Sequence, residues 1–338
     1  MTDRLAASAS ASASASASAS ASASASAEAS VAATRADRYR SHSAVTDPGG
    51  HAELLRDVGT GFEALHRTVE RLVDHYRATP GGVSSEQLHD IDRRWVASQL
   101  DALAKRQPGP LDAQRAPEHR LGGCCRDHSV LAVAILREHG VPARTRLGFA
   151  GYFTPGYRND HVVAERWDAT VHRWLRFDPE LDRAAYAFAV DDLPRGDEAV
   201  FRTAAEAWLA YRAGRTELDD HGVGPDTPLS GPSFVHRYVI ADLAHRQRCE
   251  VLLWDGWGAM ALPGAELSAE QVELTDAVAQ LTVAADAGDE AAETRLDELW
   301  AADSRVRPER FVETWSPTGR VGRTDLEGRT TEWAAAAD

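Results

Sequence analysis

Apolar residues recur at helical spacing along much of the chain. Leu65, Val69, Leu72, Val73 and Tyr76 fall on one face, which predicts an amphipathic helix from about Gly61 to Arg77, broken by Thr79-Pro80-Gly81-Gly82. Ser84 with Gln87 forms a capping-box pattern opening a second helix through Ile91, Trp95, Val96 and Leu100. A third helix starts near Cys125, carries Val130, Leu131, Ala134 and Ile135, and stops at Gly140 with Pro142 beyond. The period then changes to that of strands over Ala143–Phe153, His161–Trp167 and Arg173–Phe177, with a hairpin at Asp168-Ala169-Thr170. In the last run apolar and basic residues alternate, as a half-buried strand requires. Helical spacing returns at Ala199–Arg212, Phe234–His245, the stretch capped by Ser268 and Gln271, and Ala291–Trp300. A Gly/Pro/Asp-rich loop spans Leu218 to Pro232, and Trp254–Gly258 is an aromatic turn.

The two ends lack such patterns. Residues 7–27 alternate Ala and Ser, too weakly apolar for a secretory signal and too small to offset chain entropy, so residues 1–50 are expected to be a disordered low-complexity tail. A silk-like strand is the rival reading of the strict alternation. Residues 317–338 are expected to fray. The 338 residues therefore leave one large folded unit over 51–316. Acidic residues outnumber Lys plus Arg by 52 to 37, a net charge of −15, which argues against nucleic-acid binding. No run of 18 apolar residues exists, so no membrane span is expected. Three cysteines, two of them adjacent, are not a disulfide framework, and a reducing cytoplasmic setting follows. No CxxC or HExxH string is present, and no metal or other cofactor is expected.

Candidate chemistry gathers in Gly122-Gly123-Cys124-Cys125-Arg126-Asp127-His128-Ser129. A thiol at a helix N-terminus meets the positive end of the macrodipole, which favours the nucleophilic thiolate. His161 follows 36 residues later at the start of a predicted strand, and Asp178 closes the next strand. That order suits nucleophile, base and orienting acid. Each residue also has a plainer reading: Cys125 as small core filler, His161 as a strand surface residue, Asp178 as a turn initiator before Pro179. His128, three residues beyond Cys125, is a rival base, although neighbours on one helix rarely align for proton transfer. His161 and Glu165 share a strand face but lie too far apart for one metal ion. Tyr152, Tyr157 and Asn159 are candidate cleft residues. Trp95, Gln114 and His119 are candidate second oxyanion donors.

The strings Gly-Cys-Cys-Arg-Asp-His-Ser, Gly-Val-Pro-Ala-Arg, Asn-Asp-His-Val-Val-Ala-Glu and Arg-Trp-Leu-Arg-Phe-Asp-Pro, in that order over 121–181, resemble the core of the transglutaminase-like superfamily. The resemblance implies an α+β, papain-like fold in which the cysteine helix packs on an antiparallel sheet, flanked by further helices. By register it implies Cys125 as nucleophile, because that residue directly precedes Arg-Asp, with His161 as base and Asp178 as orienting acid. Val162 stands where the family often has Trp, and Cys124 is an additional thiol. No calcium-loop string such as DxDxDG occurs. The implied activity is cysteine-dependent acyl transfer through a thioester on an amide, peptide or protein substrate. The acceptor is water, as in an amidase or protease, or an amine. The alternatives are a binding or scaffolding protein retaining the fold without the chemistry, and a zinc or redox protein built on Cys124, Cys125 and scattered histidines. The oligomeric state is not legible.

Overall fold

The computed structural model describes residues 35–335. The Ala/Ser tract lies outside them. The elements that frame the centre are helix α1 (Phe62–Leu72), strand β1 (Val73–His75), helix α2 (Val96–Arg106), strand β2 (Leu121–Gly123), helix α3 (Cys125–Glu138), and strands β3 (Ala143–Ala150), β4 (Arg158–Asp168) and β5 (Arg173–Phe177). The chain continues through β6 (Phe201–Thr203), α4 (Ala204–Arg212), β7 (His221–Gly222), α5 (Pro232–Arg246), β8 (Asp255–Gly256), α6 (Ala269–Asp286), α7 (Glu290–Ala302), β9 (Phe311–Trp315), β10 (Val321–Asp325) and β11 (Thr330–Trp333).

The central sheet has the order β5-β4-β3-β6, all antiparallel, with β7 added parallel to the start of β4. Helix α3 is buried from Cys125 to Arg137. One side meets Leu65, Val69 and Leu72 of α1 and Val96, Leu100 and Leu103 of α2; the sheet closes that cluster through Ala164 and Phe177. A second cluster joins Cys124 and Cys125 to Leu147, Val162 and helices α4 to α6. Each large aliphatic side chain buried there contributes about 1.5–3 kcal/mol of transfer free energy. The fold is α+β, with a cysteine-bearing helix on an antiparallel sheet. Among the described residues no helix is long and apolar enough to cross a membrane.

Several expectations change. The first predicted helix ends at Leu72, and Val73–His75 pair in parallel with Leu121–Gly123. This long-range pairing overrides the local period, and it needs Gly123, where a Cβ would stand 2.7 Å from Val73 Cγ1; Gly122 instead admits the turn at Gln87, whose O would lie 2.3 Å from a Cβ there. The Ser84/Gln87 capping box exists but opens only the single turn Ser85–Leu88; the long helix begins at Val96. The first predicted strand stops at Ala150, and β4 begins at Arg158 rather than at His161, because Asn159 and Asp160 pair with Ala150 and Phe149. Residues 35–50, expected to be tail, are packed. Tyr39 is 2% exposed, its hydroxyl donates to Arg246 O, and Ser43 donates to Glu250. Residues 317–335, expected to fray, supply β10, paired with β9, and β11, paired with β10.

The basic residues of the sheet are the largest departure. Arg176, expected on a solvent face, is buried opposite Glu165 in the β4–β5 register, and Arg144 is opposite Glu165 in the β3–β4 register. Glu165 accepts from Arg144 Nε at 2.8 Å and Arg176 Nε at 3.0 Å. Arg146 carries the network to Asp242 of α5 and Asp286 of α6, and Arg246 continues it to Glu293 of α7. Burial alone would raise Glu165 and Asp286, but the guanidinium charges win and hold both below the usual carboxylate range.

Because those folded-state values are depressed, the stability they supply is present above the unfolded values near pH 4 and is lost as pH falls through the folded ones. Denaturant melts should show the protein weakening below about pH 4. Glu165→Gln should cost about 3–5 kcal/mol at pH 7, as for any broken buried pair, and flatten the acid dependence. A variant as stable as the parent at pH 7 would contradict the network's role. Tyr39→Ala should lower Tm by several degrees in a thermal melt; an unchanged Tm would mean that the 35–50 segment is not part of the folded unit.

Candidate active site

Cys124 is the N-cap of α3. Asp127, at the third helical position, accepts from the Cys124 N–H at 2.9 Å, and the Cys124 sulfur faces the Asp127 N–H in return. Asp127 also accepts from Arg126 Nη1 at 2.9 Å and Gln99 Nε2 at 2.9 Å. Arg126 is fully buried and donates to the carbonyls of Arg94 (2.7 Å), Glu250 (2.6 Å) and Val251 (3.0 Å). The Arg-Asp pair after Cys125 is therefore an anchor that fixes the helix start. Cys125 occupies the first helical position, where backbone N–H groups have no intrahelical acceptor.

His161 and Asp178 meet. His161 Nε2 lies 2.7 Å from Asp178 Oδ2, both side chains almost fully buried. Asp178 follows directly on β5. Its Oδ2 also accepts from the Tyr152 hydroxyl at 2.6 Å, and its Oδ1 accepts from the Glu180 N–H at 3.0 Å. Ser129, one turn along α3 from Cys125, donates to Val162 O at 2.8 Å and ties the cysteine helix to the strand beside His161. His161 Nδ1 is engaged by no hydrogen bond among the described residues, and none joins its ring to Cys125 Sγ. Phe153, 42% exposed, packs its ring 4.9 Å from the imidazole at 68°.

Burial disfavours the His161 imidazolium, but the charge and hydrogen bond of Asp178, with Glu180 and Asp160 behind, hold its pKa above the ordinary value. The Cys125 thiol is pushed well up: its hydrogen bond to Cys124 leads, followed by burial and the charges of Cys124, Glu180 and Asp160. This corrects the expectation of a thiol lowered by the helix end. In this closed arrangement those effects outweigh the dipole. Cys124 is raised as well. The bond from Cys125 pulls it down, but burial and Asp127 prevail. Cys249 is pushed up to about 12 by burial and the neighbouring Glu250 and Asp255.

His128 does not stand free as a base. Its Nδ1 lies 3.0 Å from Cys124 O and 2.8 Å from Glu180 Oε1. Donor atoms of His161, Asp178 and Glu180 lie within 4.8 Å of one another. Asp178 is already bonded to Tyr152 and His161, and Glu180 is paired with His128, so these residues make a proton-holding cluster. Tyr152 joins the site. Asn159 instead bonds Val223 O, and Tyr157 is buried elsewhere in the same loop. The proposed oxyanion donors do not converge here. Trp95 packs in the α1–α3 core, His119 bonds Gln107, and Gln114 lines a 400 Å³ surface cavity with Glu63 and His66. Glu180, Ser129 and the half-buried His75 were missed by sequence reasoning; only the Asp-Pro-Glu string offered a signal, for Glu180.

The profile of the transglutaminase-like superfamily matches residues 82–179, which include Cys125, His161 and Asp178. No curated protein matches the chain. Among solved structures the chain is similar to a candidate cysteine protease from Cytophaga hutchinsonii, at 18% identity over 42% of this chain and 41% of that one, with a TM-score of 0.26.

Of the three thiols, only Cys125 starts a helix fastened to the strand of a raised imidazole. Because the Cys125 thiol is raised, it can react readily only by passing its proton to His161, so iodoacetamide near neutral pH, followed by peptide mass spectrometry, should modify Cys125 before Cys124 and Cys249, and His161→Ala should erase the preference. First modification of Cys124 or Cys249 would contradict the assignment. Dialysis against a chelator should leave Cys125 labelling unchanged; loss of labelling would point to a metal in the cluster.

Proposed function

Residues 82–179 belong to the transglutaminase-like superfamily, and from that premise we propose that the chain is a cysteine-dependent enzyme acting on an amide or peptide through a thioester. The observation that carries this reading is the buried 2.7 Å contact of His161 Nε2 with Asp178 Oδ2, on strands fastened to the helix that begins with Cys125.

His161, its pKa lifted by Asp178, is the base. The ring nitrogen facing away from Asp178 takes the Cys125 proton, and the sulfur attacks the substrate carbonyl carbon. The carbonyl π electrons move to oxygen, and the Cys125 N–H at the helix start donates to that oxyanion. Collapse re-forms the carbonyl and breaks the C–N bond, and the amine leaves with the proton from His161. Water, deprotonated by His161, then attacks the thioester and releases the acid and the thiol. An amine can take the place of water, giving a transferred amide. We favour hydrolysis, since water needs no second binding site. Asp178 holds the ring orientation and balances its charge, and Tyr152 in turn holds Asp178. In this reading the loop carrying Phe153 is the entrance, because its exposed ring lies against His161 and must shift for substrate to enter. The 680 Å³ cavity among Arg237, Trp257 and Trp315 is lined by none of Cys125, His161 and Asp178.

With an activated ester as a generic acyl donor and mass spectrometry of the acyl-enzyme, Cys125→Ala and His161→Ala should each abolish the adduct. The double variant should be no worse, because the two act as a unit. Loss of the base should cost about 10²–10⁴ in rate, and Asp178→Asn should cost less than His161→Ala. An adduct that persists in Cys125→Ala would overturn the proposal.

A further inference from the structure

Glu180 lies one residue beyond the stretch matched by the superfamily profile and touches both halves of the site. Its Oε1 is 2.8 Å from His128 Nδ1, and its Oε2 is 3.8 Å from His161 Nε2. His128 is on α3, three residues after Cys125 and on the same side of the helix, with Nδ1 also 3.0 Å from Cys124 O. Both side chains are nearly buried, 13% exposed for Glu180 and 3% for His128. The loop that carries Glu180 is fixed from two sides. The Glu180 N–H donates to Asp178 Oδ1, and His66 Nδ1 lies 2.9 Å from Pro179 O. A carboxylate and an imidazole this deeply buried are stable only as an ion pair or as two neutral groups, and the 2.8 Å contact favours the pair.

Resting on the function proposed above, we infer that Glu180 and His128 form a second acid–imidazole pair, a positioning pair that clamps the acid loop to the nucleophile helix and sets how firmly His161 holds its proton. The charge count gives the reason. Asp178 and Glu180 bring two negative charges and His128 brings one positive. When His161 takes the proton of Cys125 it brings the second, which balances the two carboxylates and leaves the Cys125 thiolate as the one uncompensated charge of the site. The other groups facing the cluster are His75 from β1, Glu70 from α1, Tyr152 from the loop between β3 and β4, Asp160 from β4, and the Cys124 and Cys125 thiols. His75 is pushed down by burial and stays neutral, so it does not supply the second cation. Asp160 is pushed up by burial and bonded by the Tyr238 hydroxyl. His128 is lifted to about 9: burial opposes this, and the Glu180 charge prevails.

The test reads the rate of Cys125 alkylation by iodoacetamide against pH, which needs no substrate. In the parent protein the upper inflection, where His161 loses its proton, should vanish in His161→Ala. In Glu180→Gln it should move down by about one pH unit, the size expected for removal of one nearby opposite charge, with alkylation below that inflection retained. An inflection unmoved in a folded Glu180→Gln protein overturns the inference and leaves the proposed function standing. A parent profile with no His161-dependent inflection overturns the function itself. A second measurement needs no variant: the His128 ring carbon signals should titrate well above the ordinary histidine value, and titration near 6.5 in the parent protein overturns the pair. A merely structural Glu180 would lower Tm without moving either titration.

Discussion

The site depends on how one carboxylate is buried. Asp178 has no exposed surface, and an ionised carboxylate without partners would be strongly disfavoured there. It is sustained by His161, the Tyr152 hydroxyl and the Glu180 N–H. Those bonds fix the ring of His161, raise its pKa, and determine where the Tyr152 and Glu180 loops lie. The supports are themselves supported. Asp178 N–H donates to Val190 O, His66 meets the Pro179 carbonyl, and Ser129 joins the cysteine helix to β4. The bonds of His161, Tyr152 and the Glu180 N–H all end on the one Asp178 carboxylate.

A second buried charge system holds the sheet against the later helices. Glu165 stands between Arg144 and Arg176 in direct cross-strand register, and Arg146, Asp242, Asp286, Arg246 and Glu293 extend the chain of charges outward. The Arg144 guanidinium also covers Trp174 at 4.2 Å. The Ala-Arg and Arg-Trp strings thus stabilise the strands that carry His161 and lead into Asp178. Arg126 and Asp127 likewise hold the helix start, with bonds that end on backbone, on each other and on the Gln99 amide. The later helices, outside the matched stretch, complete the burial of the sheet.

Much of this was legible in the chain. The cysteine helix, its Gly140 stop and the three strands follow from local period and punctuation, and the meeting of His161 with Asp178 follows from their places on β4 and just past β5. The illegible features are all non-local. Val73–His75 is a strand because it pairs with Leu121–Gly123, some fifty positions away, where Gly123 leaves room for Val73. Residues 35–50 carry few apolar side chains, yet Tyr39, Ser43 and Thr46 are buried through contacts some hundred or two hundred positions away. Arg176 alternates like a surface residue, and only the facing Glu165 draws it inside. Glu180 has no helical or strand period, and its meaning rests on the approach of a loop to the second turn of α3. The lowered thiol expected from the helix end was a one-term argument. Burial and the neighbouring carboxylates and Cys124 outweigh the dipole.

The most direct test of the account is a crystal structure of the protein after reaction with a peptide aldehyde. The account predicts a hemithioacetal carbon bonded to Cys125 Sγ, its oxygen on the Cys125 N–H, the free nitrogen of His161 within about 4 Å of the sulfur, and the Asp178 contact intact. An adduct on Cys124 or Cys249, or a His161 ring turned away from the sulfur with Asp178 released, would contradict it.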